Sequence, residues 1–415
     1  KKPALRFKGF TDPWEQRKLG EICDFITKGA TPTTYGFSWQ PDGVPFFRND
    51  SIKDNVFVFG EFSYISEAAN EVLKRSEVHG NDILIAITGD IGKVGIIPDT
   101  VEKANINQHI ARVRIRKEAL PYFVYQYLAS DDTQKEYQKI KTGLSMPQLS
   151  LEQVRDIVVK IPEFNEQGKI ADCLRRIDTL ITLHQRKHEK LVNIKKSMLD
   201  KMFPQNGVSV PEIRFKGFTD PWEQRKLGDI SEIKTGPFGS TLHADDYVSD
   251  GIPIITTEHF KTGSLPIDKC GLPQVSENDF SRLSAYILNA GDIVFSRVGS
   301  VDINALITPF QSTWLFSGRV LRVRPQNKNS SQFLHTLLET EDVKNDIRTR
   351  AVGQTMPSIN TEILKTTPLR LPESTLEQEQ LGKYFLNLDT LITLHQRKLE
   401  KLQNIKKSCL EKMFV

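Results

Sequence analysis

Few side chains in this sequence stand at spacings that catalysis or metal binding requires. Gly89–Val94 reads GDIGKV, which is too short for a phosphate-binding loop and has no Ser or Thr after its lysine. Gly236–Gly239 does not match the dinucleotide-binding fingerprint, and no Gly-x-Ser-x-Gly elbow occurs. His243, His259 and Cys270 match no zinc-ligand spacing. The sequence therefore predicts a binding and assembly protein that is not an enzyme and holds no metal.

Small polar loops carry the residue types that contact nucleic acid. Arg, Asn, Gln and Thr read base edges in the major groove, whereas Lys and backbone amides hold phosphates. The predicted DNA-contacting residues are Lys28, Thr31, Thr33, Thr34, Arg48, Asn49, Lys93, Gln108, Lys141, Ser145, Lys234, Ser240, Thr241, Thr256, Thr257, Arg297, Arg350, Gln354 and Thr355. For each of them, an ordinary surface loop is the alternative.

The formal net charge of +4 allows a nucleic-acid partner without demanding one. Glu166–Phe203 has nine Lys/Arg and five Asp/Glu, and Glu377–Phe414 has seven and five. The remaining residues then carry 56 − 16 = 40 basic and 52 − 10 = 42 acidic side chains, a net charge of −2. Any contact with nucleic acid must therefore use local patches.

The elements that would position these loops are repeated along the chain. Arg6–Ile22 matches Arg214–Ile230 at 16 of 17 positions, and Asp178–Phe203 matches Asp389–Phe414 at 22 of 26. The segments between these ends differ strongly between the two halves. The similar ends indicate that both halves share one task. The different middle segments indicate that each half also has a task of its own. Recent recombination through the ends is the alternative.

Each middle segment has the pattern of a mixed α/β domain. Apolar, β-branched runs bounded by turn residues predict strands at 82–89, 112–116, 157–162, 292–299, 319–324 and 367–372. Helices are predicted at 120–140 and 331–349, and Ser150 with Gln153 predicts a capping box. An apolar 3-4 spacing, with no Pro or Gly at 169–203 or 383–415, then predicts a long helix at the end of each half, with His184 and His395 on its seam.

A short linker constrains the layout of the two halves. Pro204–Pro211 leads the chain from the first helix directly into the second domain. A domain of about 160 residues is about 40 Å across and cannot carry the chain back along a helix of roughly 57 Å, so the long helices should run antiparallel. We expect an α/β (α+β) fold of two similar globular domains joined by two long antiparallel coiled-coil helices, pseudo-twofold and circular. The predicted segments are a first domain at 1–162, a helix at 163–203, a linker at 204–213, a second domain at 214–372 and a helix at 373–415.

Composition is that of an ordinary globular protein. With 415 residues, 38% of them hydrophobic, two or three domains are expected. The four cysteines are scattered, and residues 1–11 have no apolar run that could serve as a secretory signal. These features favour a cytoplasmic location.

The repeated motifs resemble the specificity subunits of type I restriction-modification systems. The resemblance rests on RFKGFTDPWEQRKLG at 6–20 and 214–228, Asp-Ile at 82–83 and 292–293, Met-Pro at 146–147 and 356–357, and LITLHQRK at 180–187 and 391–398. It covers essentially the whole chain, twice. It implies two target recognition domains that each read one half of a split, non-palindromic DNA sequence, with helices that set the spacer.

The same resemblance implies the partners of the chain. Two modification subunits and two restriction subunits would assemble on it, in addition to double-stranded DNA. S-adenosylmethionine, ATP and Mg²⁺ would bind to those partners, and this chain would bind no cofactor. A protein scaffold that bridges two identical partners, without reading DNA, is the alternative function.

Overall fold

The computed structural model describes residues 3–60, 62–143, 147–205, 207–237, 241–326 and 329–414. They divide into two compact units. The first unit is Lys1–Gln185 together with Arg397–Val415, and the second unit is Arg186–Gln396. The end of the chain thus returns to the unit in which the chain begins, as the short linker predicts.

The first unit is built from short strands followed by helices. Its strands are β1 (Glu15–Lys18), β2 (Cys23–Lys28), β3 (Val44–Phe47), β4 (Ile52–Lys53), β5 (Val56–Phe57), β6 (Ser63–Ile65), β7 (Glu77–Val78), β8 (Ile83–Ala86), β9 (Val94–Ile96), β10 (Ala104–Ile106), β11 (Ile110–Ile115) and β12 (Val158–Ile161). Its helices are α1 (Glu67–Val72), α2 (Pro121–Leu128), α3 (Asp131–Ile140), α4 (Leu151–Asp156) and the start of α5 (Phe164–Met202).

The second unit follows a closely similar order. Its strands are β13 (Glu223–Lys226), β14 (Ser231–Thr235), β15 (Tyr247–Val248), β16 (Ile252–Ile255), β17 (Gln274–Val275), β18 (Ile293–Ser296), β19 (Asn304–Leu306), β20 (Leu315–Phe316), β21 (Val320–Pro325) and β22 (Pro368–Leu371). Its helices are α6 (Leu227–Ile230), α7 (Glu277–Arg282), α8 (Ser331–Leu338), α9 (Glu341–Arg350), α10 (Thr361–Lys365) and most of α11 (Thr375–Met413).

Both units share one sheet topology and differ at the edges. An antiparallel sheet has the order β2-β11-β8-β9 in the first unit and β14-β21-β18-β19 in the second. Beside it, a parallel pair joins β3 to β10 and β16 to β20. The hairpin β4-β5 belongs to the first unit. In the second unit, β15 lies at the edge of the sheet that contains the parallel pair β16 and β20. The prediction of two similar mixed α/β domains is confirmed.

A buried ion pair at matching positions holds the central strands of each unit. Arg114 on β11 bonds both carboxylate oxygens of Asp82, at 2.7 and 2.6 Å. Arg324 on β21 bonds Asp292 in the same bidentate way, at 2.7 Å twice. Both aspartates are 2% exposed or less, so each pair fixes the start of the buried strand β8 or β18.

The repeated opening segment packs on both long helices in each unit. In the first unit, Arg6 bonds Glu166 near the start of α5 at 2.7 Å, and the Leu5 N–H donates to the Lys412 carbonyl on α11. In the second unit, Arg214 bonds Glu377 near the start of α11, and the Ile213 N–H donates to the Lys201 carbonyl on α5. The repeated ends therefore form one frame, present in each unit.

The long helices run antiparallel within each unit. In the first unit, Asp178 of α5 pairs with Lys406 of α11 at 2.8 Å. In the second unit, Lys195 of α5 pairs with Asp389 of α11 at 2.7 Å. The ring centroid of Phe203, at the end of α5, lies 5.7 Å from that of Phe385 on α11. As residue numbers rise along α5, those of the facing residues on α11 fall, which is the predicted direction.

One local prediction agrees with the structure and two predicted helices differ. The capping box at Ser150 and Gln153 is present, with hydrogen bonds of 2.8 and 3.0 Å. The single helices predicted at 120–140 and 331–349 are each two helices, because Ser130 and Thr340 begin new ones. Within the described ranges, no helix is both long and apolar enough to cross a membrane.

Candidate nucleic-acid interface

Five loops of the first unit meet beyond the ends of its central strands. We call them the first loop cluster: residues 28–34, 48–51, 88–93, 106–109 and the described part of 141–148. Backbone hydrogen bonds of 2.9–3.2 Å join them, from Ala30 N to Ile106 O, Asn107 N to Phe47 O, Ile87 N to His109 O and Gly89 N to Pro147 O. Residues far apart in the sequence are thereby brought to one surface.

The second unit has a second loop cluster in the same topological place: the described parts of 234–241, 256–260, 297–301, 317–319 and 350–358. Its backbone hydrogen bonds, of 2.8–3.1 Å, run from Gly236 N to Val320 O, Ser317 N to Ile255 O, Arg297 N to Arg319 O and Gly299 N to Pro357 O. The clusters therefore share a frame and differ in side chains.

One glycine in each cluster permits the close approach of its loops. A Cβ at Gly29 would overlap the carbonyl oxygen of Ile106, and a Cβ at Gly236 would overlap that of Ser317. Any larger residue would push the loop after β2 or β14 away from the neighbouring loop. These glycines thus set where Thr31 and its neighbours can lie.

Arg48 and Asn49 lie at the centre of the first loop cluster. The Arg48 guanidinium sits 4.8 Å from the centroid of the Trp39 ring and donates to the Ser63 hydroxyl at 2.9 Å. The Asn49 amide donates to the Thr88 carbonyl at 2.9 Å, which ties two loops together. Arg48 is exposed, so its charge remains available to a ligand.

The other residues predicted in the first unit surround this centre. Thr31 is half-buried and bonds Gln108. Lys93 pairs with Asp90 at 2.8 Å in the turn between β8 and β9. The exposed residues are Lys28, Thr33, Thr34, Gln108 and Lys141. Ser145 lies outside the described residues.

In the second unit, two of the predicted cations are held by the protein itself. Lys234 donates to the Ala285 carbonyl at 3.0 Å and lies 4.8 Å from the Tyr286 ring centroid. Arg350 bonds the Ile363 carbonyl at 2.9 Å and also bonds Asp346 and Thr367. Since Arg350 lies at the end of α9 within this network, its contacts in the structure are structural.

The remaining predicted residues of the second unit lie along the cluster. Thr256 and Thr257 are half-buried, and the Thr256 N–H donates to the His259 imidazole at 3.1 Å. Burial lowers the pKa of His259, which keeps the ring neutral and able to accept this bond. Arg297 donates to the Gly318 carbonyl at 3.3 Å. Thr241 is half-buried, Gln354 and Thr355 are exposed, and Ser240 lies outside the described residues.

Both loop clusters are locally basic although the globular segments are not. The first has four Lys/Arg and two Asp, and the second has four Lys/Arg and one Glu. Two exposed side chains of these surfaces were missed by the sequence analysis, Trp39 beside Arg48 and Arg319 beside Arg297. Arg319 follows His109 by 210 residues, the offset that relates the two middles, and this signal could have found it.

The long helices offer a second kind of surface, the same in each helix. Leu180 and Leu183 on α5 are 43% and 47% exposed, and Leu391 and Leu394 on α11 are 42% and 44% exposed. These leucines belong to the identical LITLHQRK segments. Exposed leucines at three-residue spacing form an apolar strip on a helix, which suits a helical partner. Among the described residues, no group of His, Cys, Asp and Glu is placed to hold a metal ion.

Comparisons with known proteins agree with this arrangement. Residues 11–193 and 219–404 each match the type I restriction modification DNA specificity domain. A specificity subunit of the type I restriction enzyme MjaVIII from Methanocaldococcus jannaschii is 23% identical over 412 residues, covering 95% of this chain and 91% of the relative. The Escherichia coli EcoBI specificity subunit is 29% identical over 165 residues, 38% of this chain and 34% of the relative. The crystal structure of a type I S subunit from M. genitalium has a TM-score of 0.65 at 16% identity, covering 100% of this chain and 99% of that one.

Proposed function

We propose that each unit of this chain reads one half of a split DNA target. The premise is that the chain belongs to the type I restriction-modification DNA specificity family and is the target-recognition subunit of such a system. The observation that carries the proposal is the matched frame with different loops. The same buried ion pairs and the same strand order present the two loop clusters, while the side chains at their surfaces differ. Two different readers on one frame suit a non-palindromic target.

The chemistry of the first loop cluster suits contact with a duplex. Arg48, exposed and stacked on Trp39, can donate two parallel hydrogen bonds to a guanine edge. Thr33, Thr34 and Lys28 lie at the rim, where hydroxyl and ammonium groups would hold phosphates. The second loop cluster has Arg319 and the Thr256–Thr257 pair at the corresponding place, which would select different bases.

The partners follow from the second kind of surface. Because the same exposed leucines occur on α5 and α11, we propose that two copies of the modification subunit dock there, one on each helix. The antiparallel helices would then set the spacer between the half-sites. Two restriction subunits would join the complex. Methyl transfer and cleavage would take place in the partners, which would bind S-adenosylmethionine, ATP and Mg²⁺, with this chain contributing recognition and no catalytic group.

Paired substitutions test the division of labour. In a complex with the modification subunit, Arg48→Ala with Asn49→Ala should weaken binding only to DNA with an intact first half-site. Thr256→Ala with Thr257→Ala should act only on the second half-site. Each loss should be about 1–3 kcal/mol per base contact removed. DNA affinity should also fall steeply as salt rises.

Two results would refute the proposal. Equal loss at both half-sites from either pair would show that the units do not read separately. Binding of the modification subunit without any salt-dependent DNA binding would favour a protein scaffold instead. Lys8→Ala, an exposed lysine in the repeated opening segment, is the control and should leave target preference unchanged.

A further inference from the structure

The second unit contains a cavity that the proposed function does not use. Its volume is about 650 Å³, within the range of small-ligand sites. The walls come from α8, from α11, from Lys195 on α5 and from the loops at 262–267 and 305–311. It lies apart from the residues predicted to contact DNA.

The inner end of this cavity is polar. The Lys195 ammonium bridges Glu339 and Asp389, at 2.7 Å from each carboxylate. The His335 Nε2 atom is buried and has no hydrogen-bond partner among the described residues. Burial lowers the pKa of His335, so the ring is neutral near pH 7. Among the side chains that line the cavity, one lysine faces two carboxylates, and Lys344, outside the lining, also acts on Glu339.

Of the two carboxylates, Asp389 is the one whose charged form is stabilised less by its surroundings. Burial raises its pKa, and this effect outweighs the opposing effect of Lys195. A carboxylate in that condition would be stabilised by a second cationic hydrogen-bond donor. Asp389 and His335 both line the cavity, although the Nε2 atom of His335 is itself closed to solvent.

The mouth of the cavity is apolar. Ile267 is 65% exposed, Phe310 is 54% exposed, and Leu386 is 46% exposed. All three line the cavity together with Leu265 and Ile392. Large apolar side chains left in water at one opening indicate that something apolar covers them.

The first unit has the same position filled. Tyr122 and Tyr125 stand 210 residues before Gln332 and His335. The Tyr122 hydroxyl donates to Asp178 at 2.6 Å, and the Tyr125 hydroxyl donates to the Asn55 carbonyl. Asp178, which corresponds to Asp389, also accepts from Gln126 at 2.7 Å and from Lys406 at 2.8 Å. The aspartate of the first unit is thus saturated by the protein, whereas its counterpart is not.

We infer that the cavity of the second unit is a binding site for a protonated amine or guanidinium carried on a short apolar or aromatic stem. The cationic head would donate to Asp389 beside the His335 ring. The stem would cover Phe310, Ile267 and Leu386. Two sources share this chemistry: a free organic amine, or a lysine or arginine side chain of the modification subunit.

The test uses the full-length chain and 2-phenylethylamine as the probe, with binding followed by calorimetry and by ligand-detected NMR. We expect saturable binding of one probe per chain. Asp389→Asn should weaken binding at least about tenfold, since it removes a charged hydrogen bond. Asp178→Asn, the matched change in the first unit, should leave probe binding unchanged. Gln332→Tyr with His335→Tyr, which installs the tyrosines of the first unit, should abolish it.

Three results would overturn the inference: no saturable binding, equal affinity for the uncharged 2-phenylethanol, or unchanged binding after Asp389→Asn in a chain that melts like the wild type. Addition of the modification subunit then assigns the source. Displacement of the probe identifies a side chain of that partner, and retention of the probe identifies a free amine. The inference does not depend on target recognition, so its failure would leave the half-site measurements unaffected.

Discussion

Truncation of the last aromatic residue should destabilise the first unit of the chain. Phe414 is 7% exposed, with its ring centroid 5.5 Å from those of Phe123 and Tyr127 and 6.3 Å from that of Trp14. Buried Phe→Ala changes cost about 3–5 kcal/mol. Because Phe414 keeps some exposure to solvent, we take the lower value of about 3 kcal/mol. That free energy corresponds to roughly a 10²-fold increase in unfolding of the first unit.

Phe203→Ala is the matched change in the second unit. Phe203 is 2% exposed, and its ring centroid lies 5.7 Å from that of Trp222 and 5.9 Å from that of Phe333. Phe414 packs on Trp14 and Phe123 in the same way. Its truncation should destabilise the second unit by a similar amount or slightly more, because it is more deeply buried.

Hydrogen exchange with peptide mass spectrometry distinguishes the two units. Amides of α2 should exchange faster in Phe414→Ala by about two orders of magnitude, with those of α8 unchanged, and Phe203→Ala should give the reverse. Acceleration of both helices by either change, or of neither, would show that the helix ends are not separate parts of the two cores.

Two further predictions address the helices and the cavity. Burial and the neighbouring Cys173 thiol raise the pKa of Cys409, so the two cysteines lie near each other. A short bifunctional thiol reagent should therefore link them and increase gel mobility, but not in Cys409→Ser; a parallel arrangement would give no such link. His335 has a lowered pKa in the folded state, so the unfolded chain takes up a proton first as pH falls below about 6.5, and stability should drop by up to about 1.4 kcal/mol per pH unit. Thermal melts at pH 7.5 and 5.5 should show a smaller drop for His335→Gln, and an equal drop would contradict a buried neutral histidine.

Periodicity and linker length were sufficient to predict the architecture. The apolar 3-4 spacing gives α5 and α11 almost to their ends, although Leu180 and Leu391 of the predicted seam are exposed. The antiparallel direction follows because the linker leads straight into the second domain, which is too small to carry the chain back along the helix. The break at Ser130 was missed because the apolar pattern continues across it; the Ser130 hydroxyl donates to the Tyr127 carbonyl at the end of α2, where the chain leaves one helix and enters the next.

The sequence predicts where the loop residues lie better than it predicts what their side chains contact. Matching loops after matching strands located both clusters, since strand order brings their ends to one surface. Sequence spacing could not show that Arg350 bonds Thr367 and the Ile363 carbonyl, because those contacts arise from the packing of α9 on α10 and the residues that follow it. Nor could it show the cavity, which depends on Gln332 and His335 replacing two tyrosines at one three-dimensional position.

Exchange of one middle segment tests directly whether each unit reads its own half of the DNA target. Residues 31–160 would be replaced by the corresponding segment of another family member, and the chimera expressed with its modification subunit in a host lacking other methylation. Methylome sequencing then reports the complete target. We expect a new first half-site, with the second half-site and the spacer unchanged. A change in both half-sites, or in neither, from a chimera that assembles and methylates would contradict it.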